Sequence, residues 1–121
     1  MRLLKEDTLF STYIKDRDGW ECVRCVAIKR PKKIYPKGSR GLTCSHYWSR
    51  RHWITRFDPD NCDALCWGCH NLVEHDKQGW YSDFKKSQLG TRKFNALNRK
   101  VNQETLKKHE SIERVRGFLQ R

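Results

Sequence analysis

Leu65-Cys66-Trp67-Gly68-Cys69-His70 is the stretch that decides how this chain folds. Its Cys-x-x-Cys unit has a partner upstream in Cys22-Val23-Arg24-Cys25. Two such knuckles offer four thiolates, the donor set of a closed tetrahedral zinc site. They stand some forty residues apart, so a folded element must fit between them. Gly41 to His46 reads as a strand, and Asp58-Pro59-Asp60-Asn61 carries the composition of a turn. Cys62 to Leu65 then makes a short return strand, and Trp67 to about Lys77 is helical in pattern, stopped by Gly79. The expected fold class is small α+β, held by zinc at Cys22, Cys25, Cys66 and Cys69.

Composition explains why such a chain needs a metal. Only 36% of its 121 residues are hydrophobic, thin for a domain that must bury a core of its own. Five Trp, five Phe and four Tyr are nevertheless far too many for a disordered chain. The longest apolar run is Cys25-Val26-Ala27-Ile28, which excludes a membrane span and a signal-peptide core. Six cysteines without export belong in a reducing, cytoplasmic setting, where they bind metal rather than pair as disulfides. A net charge of +12, from 26 Lys+Arg against 14 Asp+Glu, calls for a polyanionic partner. Between Cys22 and Phe57 there are ten basic residues and no acid, which favours phosphate contact over a merely solvated loop.

Outside the knuckles, residues 3–16 read as a helix, with Leu9, Phe10, Tyr13 and Ile14 at helical spacing. Residues 1–80 are expected to form the functional domain and residues 81–121 a basic helical extension. Leu89-Gly90 interrupts that extension, and Asn102 is a candidate N-cap for its last helix. Glu104 and Lys108 would pair along the helix. Trp48, Trp53, Trp67 and Trp80 are expected to pack rather than stack on bases. Cys44 and Cys62 belong to neither knuckle and are expected to serve as small apolar residues near the strands, the alternative being Cys44 as a ligand.

The inserted element carries His46, Asn61 fifteen residues later, and His70 nine residues beyond. With the knuckle Leu65-Cys66-x2-Cys69-His70 and the stretch Cys44-Ser45-His46-Tyr47-x-Ser49-Arg50, this order resembles the HNH nucleases, the ββα-metal family. Arg56-Phe57-Asp58-x-Asp60-Asn61 adds likeness to phage and prophage members of the recombination type. The resemblance covers about residues 8–80. It implies a ββα-metal core, structural zinc on the four cysteines, and hydrolysis of DNA phosphodiester bonds. It also implies His46 as general base, Asn61 as the central Asn and His70 as a ligand of a catalytic ion such as Mg²⁺ or Mn²⁺. A neutral imidazole suits proton abstraction from water, and a divalent cation neutralises the scissile phosphate. Arg50, Arg51 and Arg56, lying between His46 and Asn61, are expected to clamp DNA phosphates.

One position departs from the family pattern. Many members place Asp or His before the first His, and here that residue is Ser45. Glu74, one helical turn beyond His70, can supply the missing carboxylate. Alternatively His46 itself coordinates, with His52 or a water as base. The competing expectation is a zinc-stabilised module that binds nucleic acid without cutting it.

Overall fold

The computed structural model describes residues 2–75 and 79–119, and of Glu74 and His75 the backbone alone. The elements follow in the order α1 (Lys5–Arg17), α2 (Val23–Ala27), β1 (Leu42–His46), α3 (Trp53–Arg56), β2 (Cys62–Cys66), α4 (Trp67–His75), α5 (Trp80–Leu89), α6 (Thr91–Asn102) and α7 (Lys108–Leu119). The strands pair antiparallel, with Leu42 opposite Cys66, Ser45 opposite Asp63 and His46 opposite Cys62. A short 3-10 turn, Pro59–Asn61, leads into β2, capped by the Asp58 carboxylate accepting from the Asp60 N–H at 3.0 Å. β2 runs without a loop into α4, so the chain from residue 42 to 75 is strand, the short helix α3, the 3-10 turn, strand and helix.

Side chains alternate along each strand, which gives the hairpin two different faces. Phe10 and Ile14 of α1 pack with Cys62 and with Val115 of α7, and Cys44, Phe57 and Phe118 join them. Trp20, Cys22, Leu42, Ala64, Leu65 and Cys69 form a second cluster around the knuckles. The C-terminal end of α1 is pinned to β2: Arg17 donates to the Cys62 carbonyl at 2.7 Å, and Asp18 accepts from the Ala64 N–H at 2.9 Å. On the face of Ser45 and Asp63 lies α5. Its Tyr81 hydroxyl donates to Asp63 at 2.8 Å, and Lys85 meets the same carboxylate at 3.1 Å.

Residues 81–119 are therefore part of the core and not an arm. Val115 is 2% exposed against α1, and Arg116 bonds Glu6 at 3.0 Å. The hydrophobic stripe of Phe94, Leu97 and Val101 is amphipathic because α6 packs on the domain, chiefly on α3 and α5. Asn102 ends α6 instead of capping α7, which begins only at Lys108. Glu104, in the intervening loop, reaches His52 at 3.0 Å rather than Lys108. Gly90 sits between α5 and α6 at φ +82°, a conformation that only glycine adopts without strain, and so separates two helices with no linker. No helix among the described residues is long and apolar enough to cross a membrane.

Candidate metal centre and histidine cleft

The two knuckles meet. Cys22 stands at the N-cap of α2 and Cys25 lies within it, while Cys66 ends β2 and Cys69 lies in the first turn of α4. Their four sulfurs lie within 4.8 Å of one another, with Cys25 Sγ at 3.8 Å from Cys66 Sγ and 3.7 Å from Cys69 Sγ. A zinc–sulfur bond of about 2.3 Å makes a tetrahedron with edges of about 3.8 Å, so the donors fit zinc. Arg24 donates to Cys69 Sγ at 3.4 Å and Arg30 to Cys25 Sγ at 3.6 Å. Two guanidiniums thus offset the net negative charge of four thiolates around a dication. Burial pushes the Cys22 thiol up to about 12. Binding as a thiolate therefore releases a proton, and affinity falls as the solution is acidified.

His46, at the end of β1, lies on the other side of the hairpin centre. A ring nitrogen, Nε2, is 2.9 Å from the Arg56 carbonyl oxygen. A carbonyl only accepts, so Nε2 carries the proton and Nδ1 keeps its lone pair. Burial pushes the imidazole down to about 4, with Arg50 and Arg56 nearby adding to the effect, so the ring is neutral at pH 7. His46 opens on a cleft of about 180 Å³ lined by Leu3, Asp7, Thr8, Ser11, Cys44 and Arg50.

Asn61 fixes the loop behind that ring. It is fully buried; its Oδ1 accepts from the Trp48 N–H at 2.8 Å, and its Nδ2 donates to the Trp48 and Thr55 carbonyls at 2.9 and 3.1 Å. The Asn61 carbonyl also accepts from the Tyr47 N–H at 2.8 Å. One amide thereby ties down the chain leaving His46. Asn61→Ala strands two carbonyls and an N–H in a buried setting, and is expected to lower stability by about 3 kcal/mol, read from denaturant unfolding.

His70, in the first turn of α4, sits across the hairpin. Its Nδ1 is 3.4 Å from the hydroxyl of Ser45. Ser45 and His46 are successive strand residues and face opposite ways. His46 and His70 therefore do not share one cluster of ligand atoms, and among the described residues neither group of three or more metal-binding side chains contains His70. The Glu74 side chain lies outside the described residues. His52, the alternative base, is held by Glu104.

The three arginines separate. Arg51 is exposed, and Arg50 is half-buried at the mouth of the His46 cleft. Arg56, expected among the phosphate clamps, is 1% exposed and bound by both Asp7 oxygens at 2.9 and 2.6 Å, with the Trp53 ring 4.4 Å from its guanidinium carbon. It is a structural residue joining α1 to α3. Burial pushes the Asp7 carboxyl up, but hydrogen bonds from Arg56 and the Leu4 N–H outweigh this and hold it below the usual range. The folded-state value lies below the unfolded one, so the pair stabilises the fold above about pH 4 and is lost as pH falls through that region. Arg56→Ala leaves a buried carboxylate alone and is expected to cost about 3–5 kcal/mol, measured by denaturant unfolding at pH 7.

Exposed charge gathers elsewhere. Lys29, Arg30, Lys32, Lys33, Lys37 and Arg40 are all exposed in the loop between α2 and β1. Trp67, 54% exposed, donates to the Arg40 carbonyl at 2.7 Å beside them. Two groups escape a reading of the sequence. One is the network of Asp63, Tyr81, Lys85 and Gln88, closed by Gln88 donating to Asp63 at 2.7 Å; Lys85 and Asp63 are both fully buried. The other is the close approach of Cys44 and Cys62 to His46. Strand alternation gave a sign of the latter, because Cys44 and His46 are two residues apart.

Comparison with family models, curated proteins and solved structures returns no match. What the chain shows by itself is a small α+β protein with a two-stranded antiparallel sheet and a four-cysteine group fitted to a metal ion.

Proposed function

We propose that the protein is a metal-dependent DNA endonuclease of the HNH type, phage or prophage in character, with its four-cysteine zinc serving the fold. The observation that carries this reading is His46: a neutral imidazole with Nε2–H given to the Arg56 carbonyl and Nδ1 left for a water. An unprotonated Nδ1 is what a general base needs, and the burial that keeps it unprotonated also lowers its strength as a proton acceptor. Asn61 holds the following loop in place, as the resemblance to HNH nucleases implies for a central Asn. Arg50 at the cleft mouth and the exposed basic loop supply contacts to phosphates, which position DNA without reading its sequence. The resemblance assigns His70, and helical spacing Glu74, to a catalytic Mg²⁺ or Mn²⁺ that would neutralise charge on the scissile phosphate; His70 lies beside Ser45, on the hairpin face opposite His46.

The test is plasmid cleavage with a panel of divalent ions, with His46→Ala as control. Metal-dependent cleavage that the variant lacks supports the reading, and no cleavage with any ion overturns it. The pH profile follows from the site. An imidazole of ordinary pKa would make the rate climb between about pH 6 and 8. With burial holding His46 at about 4, its limb lies well below pH 6, and the rate due to His46 is level from pH 6 upward. A rate–pH profile from pH 5 to 9 checks this.

A second reading has one observation in its favour. Ser45 stands beside His70 where a carboxylate would complete a metal shell, and a hydroxyl is a weak ligand. On that reading the protein is a zinc-stabilised module that binds nucleic acid without cutting it.

A further inference from the structure

Cys44, His46 and Cys62 offer two sulfurs and a ring nitrogen within 4.8 Å of one another. The hairpin register produces this grouping. Cys44 and His46 are two apart on β1, so they share a face, and Cys62 lies directly opposite His46 on β2. Two thiolates and an imidazole are a soft donor set, suited to Zn²⁺ and poorly suited to Mg²⁺ or Mn²⁺. Zinc bonds of about 2.0–2.3 Å require donor separations of about 3.5–3.8 Å, inside the 4.8 Å that bounds the spacing present. Cys62 is fully buried, whereas Cys44 and His46 line the cleft, so the fourth vertex of the tetrahedron opens to solvent. The Arg56 carbonyl already holds Nε2–H, which orients the ring with Nδ1 as donor.

We propose that Cys44, His46 and Cys62 form a second metal site that takes Zn²⁺, with a water as fourth ligand, and that its occupation turns the cleft off. As the zinc–sulfur bonds form, the two thiols release their protons to solvent, and His46, its Nε2–H given to the Arg56 carbonyl, offers the Nδ1 lone pair. The ion takes the Nδ1 lone pair that would otherwise accept a proton from water. This second half rests on the reading of His46 as general base. The two sites differ in kind: the four-cysteine group is complete in itself, and this one keeps an open position to the cleft.

The test counts zinc on the full chain after equilibrium dialysis at fixed low-micromolar free Zn²⁺. Wild type is expected to hold about two ions per chain, and Cys44→Ser and Cys62→Ala about one, since loss of one of three ligands leaves too few. One ion on the wild type, or two on both variants, overturns the site. Cys62 is buried and its variant can fail to fold; half-exposed Cys44 carries the test in that event, with near-UV circular dichroism as the folding check. The regulatory half is read as Mn²⁺-supported cleavage with and without Zn²⁺. Wild type is expected to slow by about two orders of magnitude, the usual worth of a general base, while Cys44→Ser cleaves at the same rate in both. Equal inhibition of both proteins overturns the switch. Absence of cleavage under every ion defeats the nuclease reading, and the zinc count still decides the site.

Discussion

Cys69→Ser is expected to unfold the protein rather than weaken it. Cys69 is fully buried, and its sulfur lies 3.7 Å from that of Cys25. Structural zinc contributes apparent binding free energies of about 10–16 kcal/mol, comparable with or larger than the whole stability of a small domain. Here the cluster of Trp20, Leu42, Leu65 and their neighbours is assembled around the knuckles, so the metal and that core stand or fall together. Far-UV and near-UV circular dichroism of the variant should show lost tertiary signal at 25 °C, and strong chelators should do the same to wild type. A Cys69→Ser protein that keeps its near-UV spectrum removes zinc from the account of the fold.

His46→Ala gives the second large effect, on rate and not on folding. Truncation leaves the Arg56 carbonyl without its donor, at a cost of about 1 kcal/mol, which the fold tolerates. On the proposed nuclease reading, cleavage is expected to fall by at least about two orders of magnitude, and DNA affinity, which that reading assigns to Lys and Arg contacts to phosphate, to stay close to wild type. Single-turnover rates beside a binding titration separate the two. Full activity in the variant ends the proposed mechanism and brings His52 forward, because Glu104 on its Nδ1 at 3.0 Å leaves Nε2 as the accepting nitrogen.

The hairpin and its helix were legible because their signals are local. Asp58-Pro59-Asp60-Asn61 names its own turn, and the Cys-x-x-Cys units fix where strand yields to helix. The expected strands, Gly41 to His46 and Cys62 to Leu65, differ from β1 and β2 by a single residue each. The short helices α2 and α3 left no periodic trace, being five and four residues long. Partners across long separations were hidden altogether. Nothing in the sequence near Arg56 distinguishes a phosphate clamp from the buried mate of Asp7, forty-nine positions away. Lys85 likewise reads as a solvated helix residue until Asp63 is seen beside it. The C-terminal helices looked like an arm because amphipathic spacing shows that a face is buried, and not against what.

The zinc knuckles also bear on the order in which this chain folds. Cys25 and Cys66 are 41 positions apart, and bringing the ends of such a loop together costs about 3 kcal/mol in chain entropy before any contact rewards it. The hairpin and the exposed basic stretch between α2 and β1 lie inside that loop, as do Cys44, His46 and Arg50 of the cleft, whose other wall is α1 and the chain leading into it. An ion captured early by the four thiols would close it first, leaving the strands to find their register over a much shorter search. The speed of folding would then rise with free zinc, so that the metal acts on time as well as on equilibrium.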